Sequence, residues 1–318
     1  MILNIPKAVS LQSNPVKTKF KSPFWAARHS FGGAVCVGAV ILICFSAEAQ
    51  NLFVTDFVSQ SIYEFTPSGA KSTFASKVGH GLAAPAFNSA GDLFVSGTQN
   101  NTIYEFTPSG VQSTFASGLS EPQGLAFDSA GDLFAADYNS GNIYEFTPSG
   151  AKSTFASSLA GPFGLAFNGA GDLFVSTYTD ASIYEFTPGG AKSTFAAVIN
   201  PTSLAFDNAG DLFVSTSTAG ASIYEFTPSG VQSTFASGFN ASALAFDNAG
   251  DLLVSSAGPG GGIILEFTPG GEQSVFANGF GSPDGLAFSG VTLPVPEPSV
   301  LGLLAVGATA VLIRRRHP

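Results

Sequence analysis

An eight-residue string governs how this chain can fold. IYEFTPSG begins at Ile62, Ile103, Ile143 and Ile223, IYEFTPGG begins at Ile183, and ILEFTPGG begins at Ile264. The glutamates of these strings, Glu64, Glu105, Glu145, Glu185, Glu225 and Glu266, fall 40 or 41 residues apart. A period of this length belongs to propeller blades, solenoids or helical repeats, and the content of the unit decides among them.

Each unit holds four short apolar runs separated by turn residues. In the third copy these are GLAF (Gly124–Phe127), DLFAA (Asp132–Ala136), NIYEFT (Asn142–Thr147) and KSTFA (Lys152–Ala156). Runs of this length rich in Phe, Tyr, Ile, Val and Thr read as strands. DSAG and TPSG between them supply tight-turn chemistry, Pro presetting φ and Gly accepting a positive φ. No window carries a 3.6-residue apolar period long enough for a helix, which removes the helical solenoids. With 37 glycines, 31 phenylalanines and 11% charged residues, composition also favours turns and strands. Four antiparallel strands per unit make a propeller blade.

The phase of the repeat checks this reading. The domain opens at Asn51 with a second strand, LFV (Leu52–Val54), and the missing first strand appears at the far end as GLAF (Gly285–Phe288). The matched halves give 24 strands, or an all-β, six-bladed β-propeller whose N-terminal blade is closed by a C-terminal strand. Such closure leaves no unpaired edge at the seam.

The segment EPQGLAFDSAGDLFAADYNSGNIYEF (Glu121–Phe146) resembles the NHL repeat, Pro-x-Gly-Ile-Ala-Val-Asp-x-x-Gly-Asn-Ile-Tyr-Val-Ala-Asp, in the character of each position. Gluconolactonase and strictosidine synthase propellers carry similar motifs, so the resemblance leaves the family boundary open. Trp-Asp repeats do not fit, because the single tryptophan, Trp25, precedes the repeat.

The ends read as an address. Lys7, Lys17, Lys19, Lys21 and Arg28 form a basic leader, followed by an uncharged apolar run from Phe31 to Phe45 and by Ala47-Glu48-Ala49. Ala47 and Ala49 give the small-x-small pattern of a signal-peptidase site. A retained anchor is the alternative; the run of 15 residues is shorter than the ~20 that a span requires. Both cysteines, Cys36 and Cys44, lie in the leader, so the mature chain is expected to hold no disulfide.

At the other end, Pro296-Glu297-Pro298 precedes an uncharged stretch from Ser299 to Ile313 and then Arg314-Arg315-Arg316. An apolar helix with a terminal arginine cluster fits an inner-membrane anchor with its basic end in the cytoplasm. The order closely resembles the PEP-CTERM sorting signal of exported proteins in Gram-negative bacteria that also make exopolysaccharide. The resemblance implies an exosortase-type membrane peptidase as a partner, acting near the motif, alongside signal peptidase at the leader. The expected layout is a leader at 1–49, a propeller at 50–289, a linker at 290–295 and a sorting signal with a short transmembrane helix at 296–318. Apolar helices would thus flank the propeller at both ends.

A residue present in every blade serves blade geometry, so function is expected where the repeat breaks. The residues before the Gly position of each first strand are Ala83, Gln123, Phe163, Thr202, Ser242 and Asp284. His80 (the single propeller histidine), Glu121, Asp137 with Asn139, and Asp56 break the pattern nearby. His80, Glu121, Asp137 and Asp284 are therefore the catalytic candidates, acid–base chemistry and hard cations both requiring such groups. A divalent cation is the one cofactor to consider, although no loop shows clustered Asp-x-Asp spacing and no metal site is expected. No Ser/His/Asp motif or zinc-ligand spacing is visible, and GPGGG at 258–262 lacks the helix and Lys of a phosphate loop. Between Gln50 and Leu293, 20 acidic residues face four lysines and no arginine, a net charge of −16. That surface repels phosphate backbones and excludes nucleic acid as a partner.

Two functions fit. The first is an exported surface or matrix protein acting as a non-catalytic scaffold for a protein or glycan ligand. The second is a lactonase- or lyase-like enzyme with its site at the channel mouth.

Overall fold

The structure is a computed structural model that describes residues 50–217, 221–257 and 261–290. The leader, the sorting tail and the apolar helices expected there from the sequence lie outside the described residues. Within these, 24 strands form six four-stranded antiparallel sheets. In the third blade the strands are Pro122–Phe127, Leu133–Asp137, Asn142–Phe146 and Lys152–Ala156, ordered first to fourth from the channel to the rim. The first strand begins two residues before the run read from the sequence. Pro122 pairs with Asp137 across a bulge that skips to Leu125 opposite Ala135, which no residue pattern announces.

The ring closes as the phase of the repeat requires. Pro283–Phe288 pairs with Leu52–Asp56 in the sheet of the first blade. Asp56, fully buried, ties the joint: Oδ1 accepts from the amides of Val58, Ser59 and Ser282 at 3.1 Å each, and Oδ2 from Gly281 at 2.7 Å.

Every second strand is buried along its whole length, because one face meets the preceding blade and the other the following blade. Fourth strands lie on the rim and are largely exposed. Phenylalanines knit the contacts. Phe94 of blade two meets Phe115 of its own fourth strand at 4.9 Å and Phe127 of blade three at 5.1 Å, both edge to face. Phe115 reaches Phe146 at 5.5 Å. Edge-to-face rings add ~0.5–1.5 kcal/mol per pair beyond the area they bury. The same triad recurs around Phe53, Phe134, Phe174 and Phe213. At the seam Leu253 takes that place, and Phe280 fills the gap against Phe65 and Tyr63.

The repeated acids are structural. Glu105, Glu145, Glu185, Glu225 and Glu266 accept from a serine of the neighbouring fourth strand at 3.1–3.4 Å. Asp92 and its equivalents open the second strands behind turns whose Asn or Asp side chain accepts their backbone N–H.

These roles separate in a denaturation experiment. Asp56→Ala, which strands four backbone donors at the seam, lowers unfolding free energy by about 3 kcal/mol or more. Glu145→Ala at the wet rim stays within about 0.5 kcal/mol. Equal urea midpoints for the two variants would contradict the role given to Asp56.

Candidate binding site at the channel mouth

The first strands surround a narrow channel, and neighbours approach so closely that glycine is needed. A Cβ on Gly124 would lie 2.3 Å from the Phe163 carbonyl oxygen, and one on Gly164 would lie 2.2 Å from that of Thr202. The cavity between them is about 110 Å³. Leu125, Leu165, Leu204, Leu244 and Leu286 line it, with Pro85 in the sixth blade position. Buried hydroxyls brace this girdle from behind. Thr55 donates to the Ala83 carbonyl at 2.6 Å, Ser96 to Gln123 at 2.7 Å and Ser176 to Thr202 at 2.6 Å, each crossing to the next blade.

Above the girdle the channel widens into two recesses of about 320 and 510 Å³ that share Glu121, Gln123, Phe163 and Asp284. The six positions singled out before the first-strand glycine all face this channel or its mouth. Glu121 accepts from Gln123 Nε2 at 3.2 Å and from Asn139 Nδ2 at 2.8 Å. Its backbone is left-handed, φ 64°, where the matching positions hold Gly81, Gly161 and Asn200. A glutamate there carries a strain that those residues avoid, and strained side chains gather at functional sites.

Asp284 is half-buried where the channel meets both recesses. Burial pushes its carboxyl up to about 6, a hydrogen bond from Ser242 pulling it down and the Asp56 charge pushing it further up.

The other two candidates lie outside the mouth. Asp137 is buried and its carboxylate is already engaged, accepting from the Ser120 amide at 2.6 Å and the Ser140 hydroxyl at 2.7 Å. It stands where Asp56 stands in the first blade, and does the same work. His80 is exposed in the loop between blades one and two, its Nδ1 2.9 Å from Gln60 Nε2. Neither lines the channel or either recess. Among the described residues no three His, Cys, Asp or Glu side chains converge as metal ligands.

What acid–base reasoning missed is aromatic. Tyr138 and Tyr178 flank Phe163, with ring centroids 6.3 and 6.2 Å away. Ser217 donates to the Tyr178 hydroxyl at 3.2 Å. The signal was present in the sequence: of seven tyrosines, five belong to the IYEF strings and the remaining two are Tyr138 and Tyr178. Cations are placed elsewhere, Lys71, Lys152 and Lys192 lying over Tyr63, Tyr144 and Tyr184 at the rim.

Beyond the described residues, residues 294–316 match the PEP-CTERM protein-sorting motif. The chain carries an exosortase sorting signal. It is therefore an exported protein, anchored transiently in the membrane of a Gram-negative bacterium and processed by an exosortase. No curated protein matches the chain by sequence. Solved propellers match its fold. A chain of the nidogen/laminin complex gives a TM-score of 0.66 at 14% identity over 77% of this chain and 99% of that one. A gluconolactonase from Xanthomonas campestris gives 0.62 at 15%, over 75% and 88%. A catalytically inactive histidine-to-alanine variant of virginiamycin B lyase from Staphylococcus aureus, solved with quinupristin, gives 0.56 at 16%, over 72% and 85%. At these identities the likeness is one of architecture.

The Asp284 carboxyl makes stability depend on pH. Its folded value of about 6 lies above the ~3.9 of an unfolded aspartate, so the folded state holds its proton more tightly. The penalty is absent below about pH 4, grows to about pH 6 and is complete above, reaching at most ~3 kcal/mol. Asp284→Asn accordingly melts with the parent at pH 4 and several degrees above it at pH 7.5, as differential scanning calorimetry would show.

Proposed function

We propose that this protein is a non-catalytic, surface- or matrix-associated scaffold whose channel mouth binds a neutral glycan. The trio Tyr138, Phe163 and Tyr178 beside Glu121, Gln123 and Asp284 carries the reading. Aromatic faces take the C–H face of a sugar ring, while carboxylate and amide groups at their edge accept and donate to its hydroxyls. A net charge of −16 across the propeller disfavours anionic ligands. The sorting signal supports the setting, since export delivers the mouth to the cell envelope or beyond.

A lactonase- or lyase-like activity is the competing reading, favoured by an Asp284 carboxyl that titrates in the range useful for general acid–base work. Against it stands the histidine. The virginiamycin B lyase is inactive when one histidine becomes alanine, whereas the single propeller histidine here, His80, lies outside the mouth.

Calorimetric titration of the purified chain with a panel of neutral oligosaccharides separates the readings. Saturable binding is expected, weakened about tenfold or more, ~1.4 kcal/mol, by Phe163→Ala and by Tyr178→Ala. Glu121→Gly, which supplies the residue type used at matching positions, keeps the fold and loses affinity. Turnover of a lactone substrate that Asp284→Asn abolishes would overturn the scaffold reading, as would a panel in which no saccharide binds.

A further inference from the structure

The first blade is the one in which the chain is cut. In other blades the turn between the first and second strands is continuous, as from Asn88 to Asp92; here Ser289 and Gly290 leave on one side and Gln50 and Asn51 enter on the other. The geometry is nonetheless preserved. The Ser289 amide donates to the Asn51 carbonyl at 2.9 Å, as the Asn88 amide does to Asp92 at 3.0 Å. Gln50 is thereby drawn into a recess of about 220 Å³ with Thr66, Pro67, Asn248 and Phe276. Its Oε1 accepts from the Asn248 amide at 3.2 Å. Its Nε2 is buried and has no hydrogen-bond partner among the described residues. A desolvated donor left unpaired is a defect that native structures rarely keep without reason.

The sequence places this glutamine directly after Ala47-Glu48-Ala49. We propose that the leader is removed between Ala49 and Gln50, and that Gln50, then the N-terminal residue, closes to pyroglutamate. The lone pair of the freed α-amine attacks the side-chain Cδ. The N–Cδ bond forms, the Cδ–Nε2 bond breaks, and Nε2 departs as ammonia with a proton from the amine. No oxidant or cofactor is needed. Oε1 survives as the lactam carbonyl, so the acceptor used by Asn248 is kept, while the group expelled is the orphan donor. The lactam also removes the terminal positive charge and closes the exported end to aminopeptidases.

The proposal rests on the leader boundary, and peptide mapping of protein recovered after export tests both parts. The N-terminal peptide is expected to begin at residue 50, to be lighter than encoded by one ammonia, and to resist an amine-specific label. Pyroglutamyl aminopeptidase should then expose Asn51. A synthetic peptide with N-terminal glutamine, carried through the same work-up, must stay open for the result to count. An intact amide with a labelled amine at residue 50 overturns the ring closure, and a peptide beginning elsewhere overturns the boundary beneath it. Gln50→Asn, too short to form the five-membered ring, is expected to be cut at the same bond and to keep a free amine; a blocked terminus in that variant would point to acylation and also overturn the proposal.

Discussion

Closure of the ring is the constraint on which everything else depends. A second strand buried on both faces has no stable existence without a blade on each side, so each sheet borrows its core from its neighbours. The last contact must be made between the two ends of the chain. It is made by a backbone ladder from Leu52–Asp56 to Pro283–Phe288 and by a carboxylate that gathers four amides across it. No cross-link assists, since both cysteines precede the propeller. The hydrogen bonds at Asp56 therefore do for this domain what a disulfide does for many exported ones, and the tight first strands follow from the same closure.

The fold was legible because repetition separates signal from noise. One ambiguous run such as GLAF could be strand or helix, but six copies at fixed offsets between Gly-containing turns leave one architecture, and the split blade gives its closure. Register was not legible. The bulge between Pro122 and Leu125 depends on how neighbouring first strands share the channel, and that is a property of the assembled ring.

The site was half legible for a related reason. Glu121 and Asp284 break the repeat in chemical type and stand at the mouth. Asp137 breaks it in type as well, yet it is a backbone anchor, its carboxylate already taken up by the Ser120 amide and the Ser140 hydroxyl. His80 is the single histidine of the propeller but lines neither the channel nor either recess. Tyr138 and Tyr178 depart from the repeat most clearly by count, but a ring face carries no titrating group to mark it as chemistry.

Polarity of the blades joins these observations. Second strands run from the face where the chain enters to the face where the mouth lies, five residues or about 17 Å in the first blade. Gln50 and Ser289 are at one end of that strand pair, and Asp56, Phe57 and the mouth at the other. Both ends of the propeller therefore leave from the face opposite the aromatic recess. Near-identical blades give the ring similar walls, while residues that differ from blade to blade, Glu121, Tyr138, Phe163, Tyr178 and Asp284, gather at the one face that holds the recess.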